Sequence, residues 1–164
     1  MRELNINATF KVFESIETLD DDVKLLMQKA IEVRKTAYAP YSNFSVGVAL
    51  SLENENVITG TNQENAAYPS GLCAERVAIF YAGAQYPDVK IKKICITASP
   101  NHIDSEVPIP PCGACRQSIA EYESKQQHPI QIFFMGAKGE VYQSDSLKNL
   151  LPLMFDSNHL NRFR

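Results

Sequence analysis

No stretch of the sequence approaches the roughly 20 consecutive apolar residues that a membrane-spanning helix needs. Residues 1–22, MRELNINATFKVFESIETLDDD, also lack the apolar block of a secretory signal. A cytoplasmic protein with no membrane partner is the expectation. There is no basic stripe either: the net charge is −3, the densest cationic run is KIKK at 90–93, and the aromatic residues are not interleaved with lysine and arginine. An extended phosphate-binding surface is therefore excluded, and nucleic acid is not the expected partner. Repeats and low-complexity tracts are missing too. What is present is an ordinary globular composition, 45% hydrophobic and 21% charged over 164 residues. A chain of this length forms one domain that buries about 70% of its unfolded surface.

Periodicity organises that length. From Asp20 to Ala37, Val23, Leu26, Met27, Ala30, Ile31 and Val33 recur at helical spacing behind the acidic start DDD. FSVGVALSL (44–52) alternates Phe44, Val46, Val48, Leu50 and Leu52 with the small residues Ser45, Gly47, Ala49 and Ser51. That is a strand with one small-residue face. ENEN then turns the chain into a second strand at about 57–62, forming a hairpin. Beyond it the pattern predicts a helix from about Cys73, a strand IKKICITAS, a Pro-rich loop and a helix from about Cys112 to Lys125. Strands IQIFFMG and EVYQS follow, then a closing helix SLKNLL bounded by Pro152. The expected fold is a three-layer α/β/α sandwich with a mixed sheet of about five strands.

Chemistry concentrates in the cysteines, which in a reducing compartment are more often ligands, nucleophiles or core residues than disulfides. PPCGACRQSIAEY places Cys112 and Cys115 three apart, neighbours on a helix at about 5–6 Å between Cβ atoms. Tetrahedral zinc, with Zn–S near 2.3 Å, holds its sulfurs about 3.8 Å apart, within reach of such a pair. Two thiolates do not complete a site. Cys73, in SGLCAERVAIFYAG, also precedes a helix, whose dipole favours the thiolate, and is the best third ligand. Cys95 sits inside the apolar KICIT and reads better as a core thiol. Three protein ligands leave one zinc position for water, the catalytic pattern. Glu75, two residues after Cys73, can serve the same centre only around a helix end, which is where it lies. Three thiolates on a divalent ion leave net negative charge, so a cation is needed nearby, and Arg76 is placed to supply it.

CAE at 73–75 and PCGAC at 111–115 resemble the zinc-dependent nucleoside deaminase signature in its all-cysteine form, a class with a zinc water and a non-ligand glutamate. With AYAPYSNFSVGVAL and NQENAAYPSGLCAERVAIF they resemble the small homotetrameric cytidine deaminases, over roughly residues 20–156. The resemblance implies one zinc per chain on Cys73, Cys112 and Cys115, and a zinc-bound hydroxide attacking ring carbon 4 while Glu75 shuttles protons. It implies hydrolysis of cytidine and deoxycytidine to uridine and deoxyuridine, with ammonia leaving, in pyrimidine salvage. Asn62 and Glu64 match the ribose-binding element, Phe44 a residue that stacks on the pyrimidine, and Ala74 a substrate contact. Tyr68 and Phe155 match subunit-boundary aromatics, Phe155 covering a neighbouring subunit's site in the homotetramer. From periodicity alone Phe44 is a core residue, and Asn62 with Glu64 an exposed polar strand end. His102, His128 and His159 lie in polar segments and take no role.

Residues 1–19 read as an N-terminal extension to a single catalytic domain at 20–164, and TFKVFESI within them as an added strand at the sheet edge or a subunit contact. LNRFR at the other end lies outside the motifs. Two other readings stand beside the cytidine deaminase: a deaminase of another aminated nucleoside or polynucleotide, and a non-catalytic zinc module using all four cysteines.

Overall fold

The alternation in FSVGVALSL produces the pivotal strand of the molecule. In the computed structural model, which describes residues 1–161, β2 spans Phe44–Leu52 and pairs antiparallel with β3 (Val57–Thr61) on one side and β4 (Ile91–Pro100) on the other. β4 runs parallel to β5 (Gln131–Met135), and β5 pairs antiparallel with β6 (Val141–Ser144). A sixth strand, β1 (Lys11–Phe13), closes the far edge against β6, giving the order β1-β6-β5-β4-β2-β3. TFKVFESI thus extends the sheet by one short strand, and the count is six rather than about five. Phe10 anchors this strand edge-on to Phe134, with ring centroids 6.3 Å apart. Lys11 adds an exposed ion pair to Asp145.

Helices cover both faces. α1 (Asp21–Arg34) lies on the small-residue face of β2 because nothing larger would let it approach. A Cβ on Gly47 would sit 2.2 Å from the Ala30 carbonyl oxygen and 2.7 Å from Arg34. Val23, Leu26, Met27 and Ala30 pack there against Ala49, Cys95 and Phe133. Full burial of a side chain such as Met27 contributes about 1.5–3 kcal/mol. The opposite face, Val48, Leu50 and Leu52 with Ile94 and Ile96, takes α2 (Ala74–Gln85) and α3 (Gly113–Gln126) through Ala78, Ile79 and Ile119. The architecture is the α/β/α sandwich that the periodicity predicts.

The closing helix expected in SLKNLL is instead a single 3-10 turn, Leu147–Asn149. The buried carboxylate of Glu123 on α3 accepts the Leu147 N–H (3.0 Å), the Ile130 N–H (2.8 Å) and the Ser146 hydroxyl (2.6 Å). These bonds fix where the turn begins by satisfying its first free N–H, and Pro152 follows closely enough to leave little room for a longer helix. The chain then forms a short α4, Ser157–Asn161, unsignalled in the sequence; of LNRFR, the last three residues lie outside the described residues. Among the described residues no helix is long and apolar enough to cross a membrane.

Candidate active site

β3 and β4 are both antiparallel to β2, so they run in the same direction and end at the same edge of the sheet. α2 starts after β3 and α3 after β4, and the residues that cap them are Cys73 and Cys112. Topology thus brings two helix N-termini together, each with its unpaired N–H groups and positive dipole end. Gly60 on β3 permits the close packing, since a Cβ there would lie 2.7 Å from the Ala74 carbonyl.

Three thiols meet at this point. Cys73 Sγ is 3.9 Å from Cys112 Sγ, Cys112 Sγ is 3.4 Å from Cys115 Sγ, and all three sulfurs lie within 4.8 Å of one another. These separations bracket the ~3.8 Å that tetrahedral zinc requires, so the donor set fits one ion. A hydrogen bond from Cys115, reinforced by Arg76, holds the Cys73 thiol down at about 5. That same bond, with burial, pushes the Cys115 thiol up. Arg76 Nη2 stands 3.5 Å from Cys73 Sγ, and the thiolate in turn raises the guanidinium. Its buried Nε has no partner among the described residues, a donor left over beside an anionic cluster. Cys95 takes no part. It is fully buried on the α1 face, 3.9 Å from the Val23 carbonyl oxygen, and burial pushes its thiol up. A module using all four cysteines is therefore ruled out.

Glu75 lies inside the same helix start, 6% exposed, where burial raises its carboxyl, partly opposed by a bond from its own N–H. Its side chain, Cys73, Cys112 and Arg76 line one end of a cleft of about 680 Å³. Phe44, Val46, Ile96, Ile109 and Pro110 make the cleft's apolar wall. Phe44 is half-buried and lines this space, so the alternation that suggests a core residue places it on the right face but in the cleft wall.

Asn62 and Glu64 line the other end. Asn62 bridges the start of β2, accepting the Val46 N–H at 2.9 Å and donating to the Phe44 carbonyl at 2.9 Å, which leaves one amide hydrogen without a partner among the described residues. The Glu64 carboxylate accepts the Tyr41 N–H (2.9 Å), the Ser42 N–H (3.2 Å) and the Ser42 hydroxyl (2.5 Å). The hydroxyl bond is the largest of the effects that hold its carboxyl below the usual range. Tyr68 is exposed on the rim, its ring 6.0 Å from Tyr41. Ala74 is wholly buried and outside the lining, so its side chain does not enter the cleft. Phe155 lies outside this chain's cleft, 57% exposed, stacked on His159 at 5.5 Å. Sequence reasoning overlooked Tyr41, Ser42, Ile109 and Pro110. The turn signal APYSN marks the first two as a loop, and nothing local marks their contact with Glu64.

The model of the cytidine and deoxycytidylate deaminase zinc-binding region matches residues 20–128. A cytidine deaminase of Halalkalibacterium halodurans is 36% identical over 140 residues, which is 85% of this chain and 98% of that relative. The crystal structure of cytidine deaminase from Burkholderia pseudomallei superposes with a TM-score of 0.70 at 34% identity, covering 84% of this chain and all of that one. That from Mycobacterium leprae gives 0.62 at 34% identity, over 81% of this chain and 99% of its own.

Proposed function

The chain belongs to the cytidine and deoxycytidylate deaminase family, and from that premise we propose how its residues share out the reaction, hydrolytic deamination of cytidine and deoxycytidine with release of ammonia. It is a zinc-dependent hydrolase. The reading is carried by one juxtaposition: three thiols within 4.8 Å of one another and the buried carboxyl of Glu75, which lines the same cleft as Cys73 and Cys112. Cys73, Cys112 and Cys115 would hold the zinc, which would supply the Lewis acidity that makes water a nucleophile near neutral pH.

The chain's own residues do the rest. Glu75 takes one proton from the attacking water and delivers it to ring nitrogen 3, then takes the second from the new hydroxyl on ring carbon 4 and delivers it to the amino group as the bond from that carbon to nitrogen breaks. A carbon–oxygen bond replaces it, and ammonia leaves. Burial raises the carboxyl, which suits a group that must return the proton it accepts. Arg76 offsets the charge of the thiolates through its bond to Cys73. Phe44 stacks on the pyrimidine, an interaction worth about 1–3 kcal/mol. The second amide hydrogen of Asn62 and the carboxylate of Glu64 hold ribose hydroxyls, and the Ala74 main chain meets the base.

The partner is a small nucleoside rather than nucleic acid or membrane, and the setting is pyrimidine salvage in the cytoplasm. Residues 20–164 form the catalytic unit, with 1–19 appended. Tyr68 and Phe155 lie at subunit boundaries of a homotetramer, Phe155 covering a neighbour's site; its exposure outside its own cleft supports this.

Ultraviolet absorbance of cytidine with purified protein, beside metal analysis of the same sample, tests the reading. Conversion to uridine with one zinc per chain is expected. Zinc bound with cytidine untouched overturns the substrate assignment and turns the search to other aminated nucleosides.

A further inference from the structure

Glu64 is the ribose carboxylate of the reading above, but a carboxylate serves a hydroxyl only if a lone pair faces the right way. Its Oε2 is fixed by two main-chain donors, Tyr41 N–H at 2.9 Å and Ser42 N–H at 3.2 Å. Among the described residues its Oε1 receives a single bond, from the Ser42 hydroxyl at 2.5 Å, which leaves that oxygen a further lone pair. Ser42 Oγ in turn accepts the Phe44 N–H at 3.1 Å, which fixes the hydroxyl rotor so that its hydrogen has one direction in which to donate. Among the described residues Ser42 is the one side chain that donates to Glu64, and it comes from 22 positions earlier in the chain. Asn43, next to it, has a left-handed φ of 53°, the conformation that aims this loop back at Glu64.

We propose that Ser42 is a positioning and specificity-determining residue: by occupying one lone pair of Glu64 Oε1 it turns the other toward a ribose hydroxyl, selecting substrates that carry one. The proposal rests on the reading of Glu64 as the ribose acceptor. Without the Ser42 hydroxyl the carboxylate keeps its Oε2 anchors but swings about them, so affinity for the ribose falls while the chemistry at ring carbon 4, at the other end of the cleft, continues. Ser42 is exposed, and its replacement leaves the core intact.

The test compares KM and kcat of the zinc-loaded enzyme for cytidine and for 2′,3′-dideoxycytidine, which lacks both ribose hydroxyls that Glu64 could accept. In Ser42→Ala, KM for cytidine is expected to rise about tenfold, the loss of one charge-assisted bond, with kcat unchanged and with KM for dideoxycytidine unmoved. Ser42→Thr, which keeps the hydroxyl, should restore the cytidine KM. In a Glu64→Ala background Ser42→Ala should add nothing, because the two act as one unit. Equal rises for both substrates, no rise for cytidine, or additive effects in the double variant overturn the role of Ser42. Glu64→Ala alone separates the two levels. If it discriminates between the substrates while Ser42→Ala does not, only the Ser42 proposal falls; if it raises both KM values equally, the ribose reading of Glu64 falls and takes the proposal with it.

Discussion

On the face covered by α1, Cys95 is sealed among Val23, Met27 and Phe133, and burial drives its thiol up. On the face covered by α2 and α3, Cys73 caps a helix beside Arg76 and its thiol comes down to about 5. One residue type thus serves as a small hydrophobe on one side of a sheet and, on the other, as part of a thiol cluster that could hold a metal ion. The difference lies in the access of each face. Continuous helix packing leaves a thiol nothing to do, whereas two helices that begin at one sheet edge leave sulfur, N–H groups and a cleft together.

The sharpest way to break this contrast is Cys112→Ala. Loss of bound zinc by metal analysis, and of activity by about 10⁴-fold or more, is expected; retained zinc would mean the ion sits elsewhere. Glu75→Gln comes next. It should keep its metal and lose about 10²- to 10⁴-fold in kcat, because a proton carrier has been removed and the thiols have not. On the α1 face the expected damage moves from chemistry to stability. Gly47→Ala forces a methyl against the Ala30 carbonyl and should cost about 1–3 kcal/mol in urea unfolding, with zinc content and kcat preserved.

The smallest effect belongs to Asp22, which ties the start of α1 to Lys93 on β4. The bond to Lys93 depresses its carboxyl below the ordinary 3.8, so its contribution is present above 3.8 and is lost as pH falls through the lower folded value. Solvent screens this exposed pair to about 0.2–1 kcal/mol. Asp22→Asn should lower the thermal midpoint slightly at pH 7, and the difference from the parent should vanish in strong acid.

How much of this was legible depended on range. β2 runs from Phe44 to Leu52, as its alternation demands, and the small residues on its other face announce a closely packed helix. The ligand spacing of Cys112 and Cys115, and the carboxyl of Glu75 at a helix start, are local patterns and can be read directly. Features set by distant contacts could not. Glu123 binds the Leu147 N–H from 24 positions earlier and so sets where the closing turn begins. Ser42 finds Glu64 across 22 positions. Ile109 and Pro110 enter the cleft from a loop with no periodicity. β1 is legible as an added strand within TFKVFESI, but its three-residue length and its partner β6 are set by distant contacts, Phe10 with Phe134 among them.

That short strand has a practical corollary. β1 occupies the edge of the sheet remote from the cleft, with β6 and β5 between it and β4. Mechanical load applied at the N-terminus would peel three residues from β6 before it strained anything that holds the cysteines. The molecule therefore carries its own strain-relief tether, and immobilisation on a surface or fusion to a carrier belongs at residue 1.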